Sequence, residues 1–234
     1  SGDINILVGT HAVFQKGVEF YDLRLSIIDE QHRFGVNQRL ALGEKGIKVD
    51  VLTMTATPIP RSLELAHYGD MDVSVLDEKP PGRKPIITAA VPLARLPDVI
   101  TKLKTAISLG RQAYWVCPLV EESEFMDLTA AAERFKVLRA AFGDDHVGLV
   151  HGQLTPAEKD AAMAAFVAGK TKVLVATTVI EVGVDIPNAT IMVIERAENF
   201  GLAQLHQLRG RVGRGEAAST CLLIYQHPLT ASGD

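Results

Sequence analysis

Residues 147–178 contain the pattern that decides the fold, VGLVHGQLTPAEKDAAMAAFVAGKTKVLVATT. Short apolar runs at Val147–Val150 and Lys172–Ala176 predict two strands. Between them, Pro156–Val167 predicts a helix, because the first turn of a helix tolerates a proline. A helix that joins two nearly continuous apolar strands is typical of a parallel sheet covered by helices on both faces. This stretch therefore predicts an α/β fold.

The same alternation of strand and helix extends over the rest of the chain. Further strands are predicted at Ile4–Val8, Leu25–Ile28, Val49–Met54, Val73–Leu76, Ile86–Val91, Ala113–Cys117, Thr190–Ile194 and Cys221–Tyr225, and further helices at Pro97–Leu109, Leu128–Phe142 and Gly201–Leu208. Residues 77–85 include three prolines and one glycine, which indicates a stiff linker. We therefore expect a smaller unit over 1–78, a linker at 79–85 and a complete domain over 86–234.

The composition excludes several classes of protein. The 234 residues are 47% hydrophobic and 22% charged, which excludes a disordered chain. No apolar run reaches the roughly 18 residues that a membrane span needs, and no secretory leader opens the chain. Its two cysteines, Cys117 and Cys221, lie in strand-like runs, so a disulfide framework and a CxxC zinc site are excluded. We therefore expect a cytoplasmic protein that does not act at a membrane.

Polar side chains follow several predicted strands, and ligands of parallel sheets bind at the carboxyl ends of the strands. After Leu25–Ile28 come Asp29 and Glu30, the arrangement in which nucleotide hydrolases place one carboxylate near Mg²⁺ and another near the attacking water. A solvated acidic pair explains these two residues alone equally well. After Val49–Met54 come Thr55 and Thr57, whose hydroxyls more commonly cap the next helix.

The segment 204–215, QLHQLRGRVGRG, is harder to explain by structure alone. It sets Arg209, Arg211 and Arg214 among three glycines, where a predicted helix changes to a loop. The planar guanidinium group suits phosphate oxygens, and glycine lets the backbone approach a ligand closely. The net charge of −4 excludes a basic coat over the whole surface but is compatible with such a local basic site.

Four strings together resemble motifs II, III, V and VI of superfamily 2 helicases. They are Asp29-Glu-Gln-His32, Thr55-Ala-Thr-Pro-Ile-Pro-Arg61, Ala176-Thr-Thr-Val-Ile-Glu-Val-Gly-Val-Asp185 and Gln207-Leu-Arg-Gly-Arg-Val-Gly-Arg214. Within that superfamily the chain resembles the RecG family, bacterial ATP-dependent DNA helicases that remodel stalled replication forks and Holliday junctions in recombination and repair. The transcription-repair coupling factors are the nearest alternative, but they typically have Glu-Glu-Gln after the motif II aspartate.

The resemblance implies a role for each matching residue. It makes Asp29 and Glu30 the Mg²⁺-binding and water-activating carboxylates, and Arg211 and Arg214 the arginine fingers that contact the γ-phosphate. Roles in coupling the nucleotide state fall on Gln31, His32, Thr55, Thr57, Gly183, Asp185 and Gln207. Contacts with the DNA backbone fall on Gly9, Thr10, His11, Thr177 and Thr178. The implied ligands are ATP, Mg²⁺ and branched, double-stranded DNA.

One departure from the family limits the expected activity. The 234 residues contain no Gly-x-x-x-x-Gly-Lys-Ser/Thr string, and neither motif Ia nor the family's amino-terminal wedge domain has a counterpart. The resemblance thus predicts RecA-like sheets, with the back part of a first helicase lobe at 1–78 and a complete second lobe at 86–234. We expect a fragment that cannot hydrolyse ATP alone. A non-catalytic nucleic-acid-binding module is the competing hypothesis.

Overall fold

The structure, a computed structural model, describes residues 4–15, 17–29, 49–55, 72–78, 82–118, 124–177, 186–213, 215 and 217–226. The chain divides into two compact units, one up to Ser74 and one from Val75 onward. This division lies a few residues before the proline-rich segment. The domain boundaries at 78 and 86 remain predictions.

The first unit contains a short parallel sheet. Strand β1, Leu25–Ile28, pairs with β2, Asp50–Thr53, so that Ile28 lies opposite Thr53. The side chains of β1 alternate between exposed and buried, as expected for a strand with one covered face. A single 3-10 turn, His11–Phe14, precedes this sheet among the described residues.

The second unit contains a six-stranded parallel sheet in the order β3-β8-β7-β4-β6-β5. Its strands are β3 (Ile87–Pro92), β4 (Gln112–Cys117), β5 (Val147–Val150), β6 (Val173–Thr177), β7 (Ala189–Glu195) and β8 (Thr220–Tyr225). Four α-helices are described: α1 (Leu96–Ser108), α2 (Glu124–Phe142), α3 (Pro156–Val167) and α4 (Leu202–Arg209). Short 3-10 turns occupy Leu93–Arg95, Asp144–His146 and Ala197–Asn199. The predicted parallel α/β fold is confirmed.

Except in the edge strand β3, alternate side chains of each strand of the large sheet enter two separate cores. On β4, Trp115 packs with residues of α1 and α2 on one face, whereas Tyr114 and Val116 pack with residues of α3 and α4 on the other. All six residues of β4 are buried, which explains why the strand is apolar without alternation. Helices therefore cover both faces, as the sequence predicts.

Local sequence signals account for the bounds of α3. Thr155 accepts a hydrogen bond from the backbone of Glu158, and the Glu158 carboxylate accepts one from the backbone of Thr155. This capping box satisfies two amide groups at the start of the helix. The Thr155 hydroxyl also donates to the Glu158 carboxylate at 2.7 Å, and this bond, together with the backbone one, lowers the pKa of Glu158. Pro156 occupies the first turn, where its missing N–H costs nothing. The prediction of a helix at Pro156–Val167 is confirmed.

Two predicted strands are absent. Residues Ile4–Val8 and Val73–Leu76 belong to no sheet among the described residues, and their large apolar side chains are mostly exposed: Val8 is 89% and Leu76 96% accessible. An apolar β-branched run predicts the extended conformation, but a strand also requires a partner whose backbone it can pair with. The described residues supply no such partner, so these two predictions were wrong.

Both cysteines are buried thiols. Cys117 ends β4 and Cys221 lies in β8, and neither forms a disulfide. Burial raises the pKa of the Cys221 thiol to about 11, although the positive charge of the nearby Arg209 lowers that pKa in part. Burial also raises the pKa of Cys117, and the neighbouring Glu195 carboxylate adds to this effect. A thiol held protonated in this way is a poor nucleophile, so both cysteines act as core residues.

None of the described helices combines the length and the apolar character that crossing a membrane would require.

Candidate nucleotide and nucleic-acid site

The first unit brings two predicted site residues to one edge of its sheet. Asp29 directly follows β1, and Thr55 follows β2 after one intervening residue. The strands are parallel and in register, and the backbone N–H of Met54 donates to the carbonyl of Ile28 at 2.8 Å. Asp29 and Thr55 therefore lie at the same carboxyl edge, both exposed. Each residue follows its strand, as the sequence predicts, and their roles remain predictions.

Asp29 fits the coordination chemistry of Mg²⁺. Within the described ranges, no group of three or more His, Cys, Asp or Glu side chains is placed to hold a metal ion. A magnesium ion that accompanies a nucleotide needs no such cage, because phosphates and water supply most of its oxygen ligands and the protein one or two carboxylates. An exposed carboxylate at the end of a strand meets that requirement.

The predicted DNA-contacting residues of the first unit lie in an exposed loop. Gly9 and Thr10 are exposed and precede the 3-10 turn, which Thr10 begins without a side-chain cap. Its carbonyl accepts a hydrogen bond from Val13 at 3.0 Å. A Cβ atom on Gly9 would collide with a methyl group of Val13, so a larger residue there would force the Val13 side chain to move. The side chain of His11 lies outside what the structure describes.

Thr177, predicted to contact DNA, ends β6 at the carboxyl edge of the large sheet. It lies opposite Cys117 of β4, and only 4% of its surface is accessible. The hydroxyl of Thr177 therefore does not face solvent in this structure. Its predicted contact with the DNA backbone remains a prediction.

Helix α4 is followed by residues 210–215, which contain Arg211 and Arg214 and are called the arginine loop below. Gln207 lies in its last turn, and the backbone N–H of Arg211 donates to the carbonyl of Leu208 at 3.0 Å just beyond the helix. Val212 is 2% exposed, and its burial anchors the loop between the half-buried Arg211 and Gly213. Gly213 has φ of +76°, a left-handed conformation that glycine adopts without strain.

The arginine loop lies at the amino edge of the sheet. A Cβ on Gly213 would lie 2.7 Å from Cγ1 of Ile86, which immediately precedes β3, and Gly215 approaches Pro187, two residues before β7. Thr177 lies at the opposite, carboxyl edge. The loop reaches the amino edge because α4 starts beyond the carboxyl end of β7 and runs back along the sheet before the parallel strand β8 begins.

The remaining predicted site residues, Glu30, Gln31, His32, Thr57, Thr178, Gly183, Asp185 and Arg214, lie outside the described residues.

Sequence reasoning missed a buried polar cluster on the α1/α2 face of the sheet. The indole N–H of Trp115 donates to Oε1 of Glu195 at 2.7 Å, and Arg134 of α2 donates to Oε2 at 3.3 Å. The side chains of Arg134 and Glu195 are only 18% and 12% exposed. The sequence contains one signal of this cluster, a glutamate at the end of the apolar run of β7. The residues that pair with it are distant in the sequence, so the signal alone does not identify them.

Comparisons with known proteins agree with this architecture. The helicase conserved C-terminal domain matches residues 96–216. ATP-dependent DNA helicase RecG of Escherichia coli K12 is 57% identical over 98% of this chain, which covers 34% of that protein. RecG of Thermotoga maritima is 52% identical over 96% of the chain, or 29% of its own length.

A solved structure of RecG bound to a three-way DNA junction superposes on 97% of the chain, with a TM-score of 0.73 and 46% identity, and the chain covers 29% of it. This likeness confirms the predicted RecA-like helicase fold. The chain spans about a third of the length of the curated RecG helicases it matches. The protein belongs to the family that carries the helicase conserved C-terminal domain, and within it is similar to the RecG helicases.

Proposed function

We propose that this chain is the C-terminal part of the motor of an ATP-dependent DNA helicase that remodels branched DNA in the bacterial cytoplasm. The observation that carries the proposal is the identity with RecG, which exceeds half of the residues and extends over nearly the whole chain. The RecG structure with a three-way junction supports branched DNA as the substrate class. Recombination and repair follow as the cellular setting.

Some of the motif residues would bind the nucleotide and DNA, and others would act in ATP turnover. Asp29 would hold Mg²⁺ with the nucleotide, and Glu30 would orient and deprotonate the attacking water. Arg211 and Arg214 would stabilise the charge that develops on the transferred phosphoryl group. Gly9 and Thr10 would track the DNA backbone without reading its bases, because backbone amides and hydroxyls contact phosphates.

A chimera tests the proposal. In it, this chain replaces the aligned third of E. coli RecG, a substitution that the 57% identity makes conservative. We expect ATP hydrolysis that is stimulated by a three-way DNA junction. This chimera is referred to below as the RecG chimera.

The 234-residue chain alone is expected not to bind ATP at micromolar concentrations. It contains no Gly-x-x-x-x-Gly-Lys-Ser/Thr string, and the lysine and backbone amides of that motif normally hold the β- and γ-phosphates. Titration with radiolabelled ATP measures this directly. Micromolar binding by the isolated chain would contradict the expectation and would also argue against the alternative of a non-catalytic module.

The chain is expected to bind DNA weakly and with strong dependence on salt. Contacts with phosphates release counterions, so roughly six of them lower the affinity about 10³-fold between 50 and 200 mM salt. Fluorescence anisotropy with a labelled three-way junction gives the affinity at each salt concentration. An affinity independent of salt would exclude a phosphate-tracking interface.

Thr10→Ala is expected to weaken binding of the junction about threefold, the effect of losing one neutral hydrogen bond. Thr101→Ala, which removes an exposed hydroxyl on α1, is the matched control.

A further inference from the structure

The cluster of Trp115, Arg134 and Glu195 joins three elements of the second unit. Trp115 lies in the middle of β4 with no exposed surface, and its indole N–H donates to Glu195 at 2.7 Å. Arg134 of α2 donates to the second carboxylate oxygen, Oε2, at 3.3 Å, and its Nε forms an ion pair with Oε1, the oxygen that also accepts from Trp115. The guanidinium carbon of Arg134 lies 5.9 Å from the centre of the Trp115 ring. Glu195 is thus held by both neighbours.

Glu195 is the last residue of β7, at the point where the chain changes faces of the sheet. Its carboxylate lies on the face of α1 and α2. Two residues later Ala197 enters the core on the face of α3 and α4, and Phe200 follows. Between them, Arg196 has φ of 47° and ψ of 52°, the sole non-glycine residue with positive φ in the described ranges. Such a conformation is strained for a residue with a side chain and persists only where the surrounding structure holds it.

Helix α4 follows this crossover and has few anchors of its own. It is eight residues long and contains no buried residue, and its apolar contacts come from the partly buried Leu205 and Leu208. The crossover therefore determines where α4 begins. Arg211 follows α4, so the crossover is one end of the segment that leads to the arginine loop, and the buried Val212 holds the other end.

We propose that Glu195, held by Trp115 and Arg134, is a positioning residue that fixes the crossover and, through α4, the arginine loop. Its carboxylate does not contact a substrate in this role. A buried carboxylate is stable only when it is paired, and here both of its oxygens have a partner on a rigid element. The consequence for catalysis rests on the function proposed above, whereas the consequence for the structure does not.

Hydrogen exchange on the 234-residue chain tests the structural part. Glu195→Gln keeps the shape and an oxygen that accepts from Trp115, but it removes the charge paired with Arg134. We expect amide exchange over 197–213 to become about tenfold faster relative to the strands β4 and β6. In Arg134→Met with Glu195→Gln, no buried guanidinium is left unpaired but the contact between α2 and β7 is still missing, so exchange over 197–213 is expected to stay faster than in the wild type; a full return to the wild-type rate would contradict the positioning role.

Two controls make the result specific. Arg139→Met breaks the exposed ion pair of α2 with Asp144, 2.9 Å long, and is expected to leave exchange over 197–213 unchanged. Trp115 is the sole tryptophan of the chain, so a shift of its emission reports the loss of the carboxylate directly. If Glu195→Gln does not fold, Arg134→Lys, which keeps the charge but not the guanidinium contacts, is expected to give the same pattern with a smaller amplitude.

The proposal is overturned if exchange over 197–213 does not change, or if it rises equally throughout the second unit. In the RecG chimera, Glu195→Gln is expected to lower kcat about tenfold with little change in the KM for ATP, because the arginine loop acts in turnover. An active chimera whose kcat is unaffected would overturn the catalytic part. A chimera that is inactive even without the substitution would instead count against the proposed function, and the exchange result would stand.

Discussion

Replacing Arg211 by alanine in the RecG chimera is expected to lower kcat for ATP hydrolysis by at least about 10³-fold, the effect of removing an arginine finger from a nucleotide hydrolase. Arg211 emerges from α4 into a loop that the buried Val212 anchors, so its backbone is already placed before a nucleotide binds. Preorganised charge of this kind stabilises a transition state without a cost of reorganisation. Junction-stimulated phosphate release measures the effect.

A matched arginine shows whether the loss is specific to Arg211. Arg95 is 59% exposed at the start of α1, where it pairs with Asp98. Arg95→Ala removes the same side chain and charge, and we expect it to leave kcat within about twofold of the parent chimera, as surface substitutions usually do. Equal losses in the two variants would show that the effect comes from net charge, and the role proposed for Arg211 would be wrong.

Gly213→Ala is expected to destabilise the second unit by about 2–4 kcal/mol, from a strained φ and an overpacked contact together. The residue has φ of +76°, and a Cβ there would lie 2.7 Å from Cγ1 and 3.0 Å from Cδ1 of Ile86. Ile86 precedes β3 and packs against the core on the α3/α4 face, so its side chain would have to leave that packing to make room. Urea unfolding of the 234-residue chain measures the change in free energy.

Gly110 separates the two causes of this destabilisation. It has φ of +85°, and an added Cβ would meet no atom within 4 Å. Gly110→Ala therefore carries the backbone strain without the collision, and we expect it to cost about 1 kcal/mol. Equal stability of the two alanine variants would show that Gly213 does not lie this close to Ile86 in solution.

The sequence predicts the strands and helices of the second unit well because each is buried by a regular pattern. The predicted strand Val147–Val150 and the predicted helix Pro156–Val167 have the same bounds in the structure. Prediction fails at Ile4–Val8, where the apolar run has no paired strand among the described residues. Periodicity reports which side chains favour burial, but it does not report whether a neighbouring strand is present.

The site is only partly predictable for a related reason. Asp29 and Thr55 could be placed together because parallel strands align their ends. The arginine loop could likewise be placed at the amino edge, because it ends the crossover between two parallel strands, but its close approach to Ile86 could not, because that contact joins residues more than 120 positions apart. The cluster around Glu195 joins residues 61 and 80 positions apart, and no local pattern relates them. Tertiary contacts of that range become visible only once the chain is folded.

Junction-stimulated ATP hydrolysis by the RecG chimera tests the central claim most directly, since the claim is that this chain is the C-terminal part of a RecG-like motor. We predict hydrolysis at roughly a tenth of the rate of E. coli RecG or faster, and its loss in the Arg211→Ala variant. A chimera that folds and binds the three-way junction, but hydrolyses ATP no faster than its Arg211→Ala variant, would contradict the account.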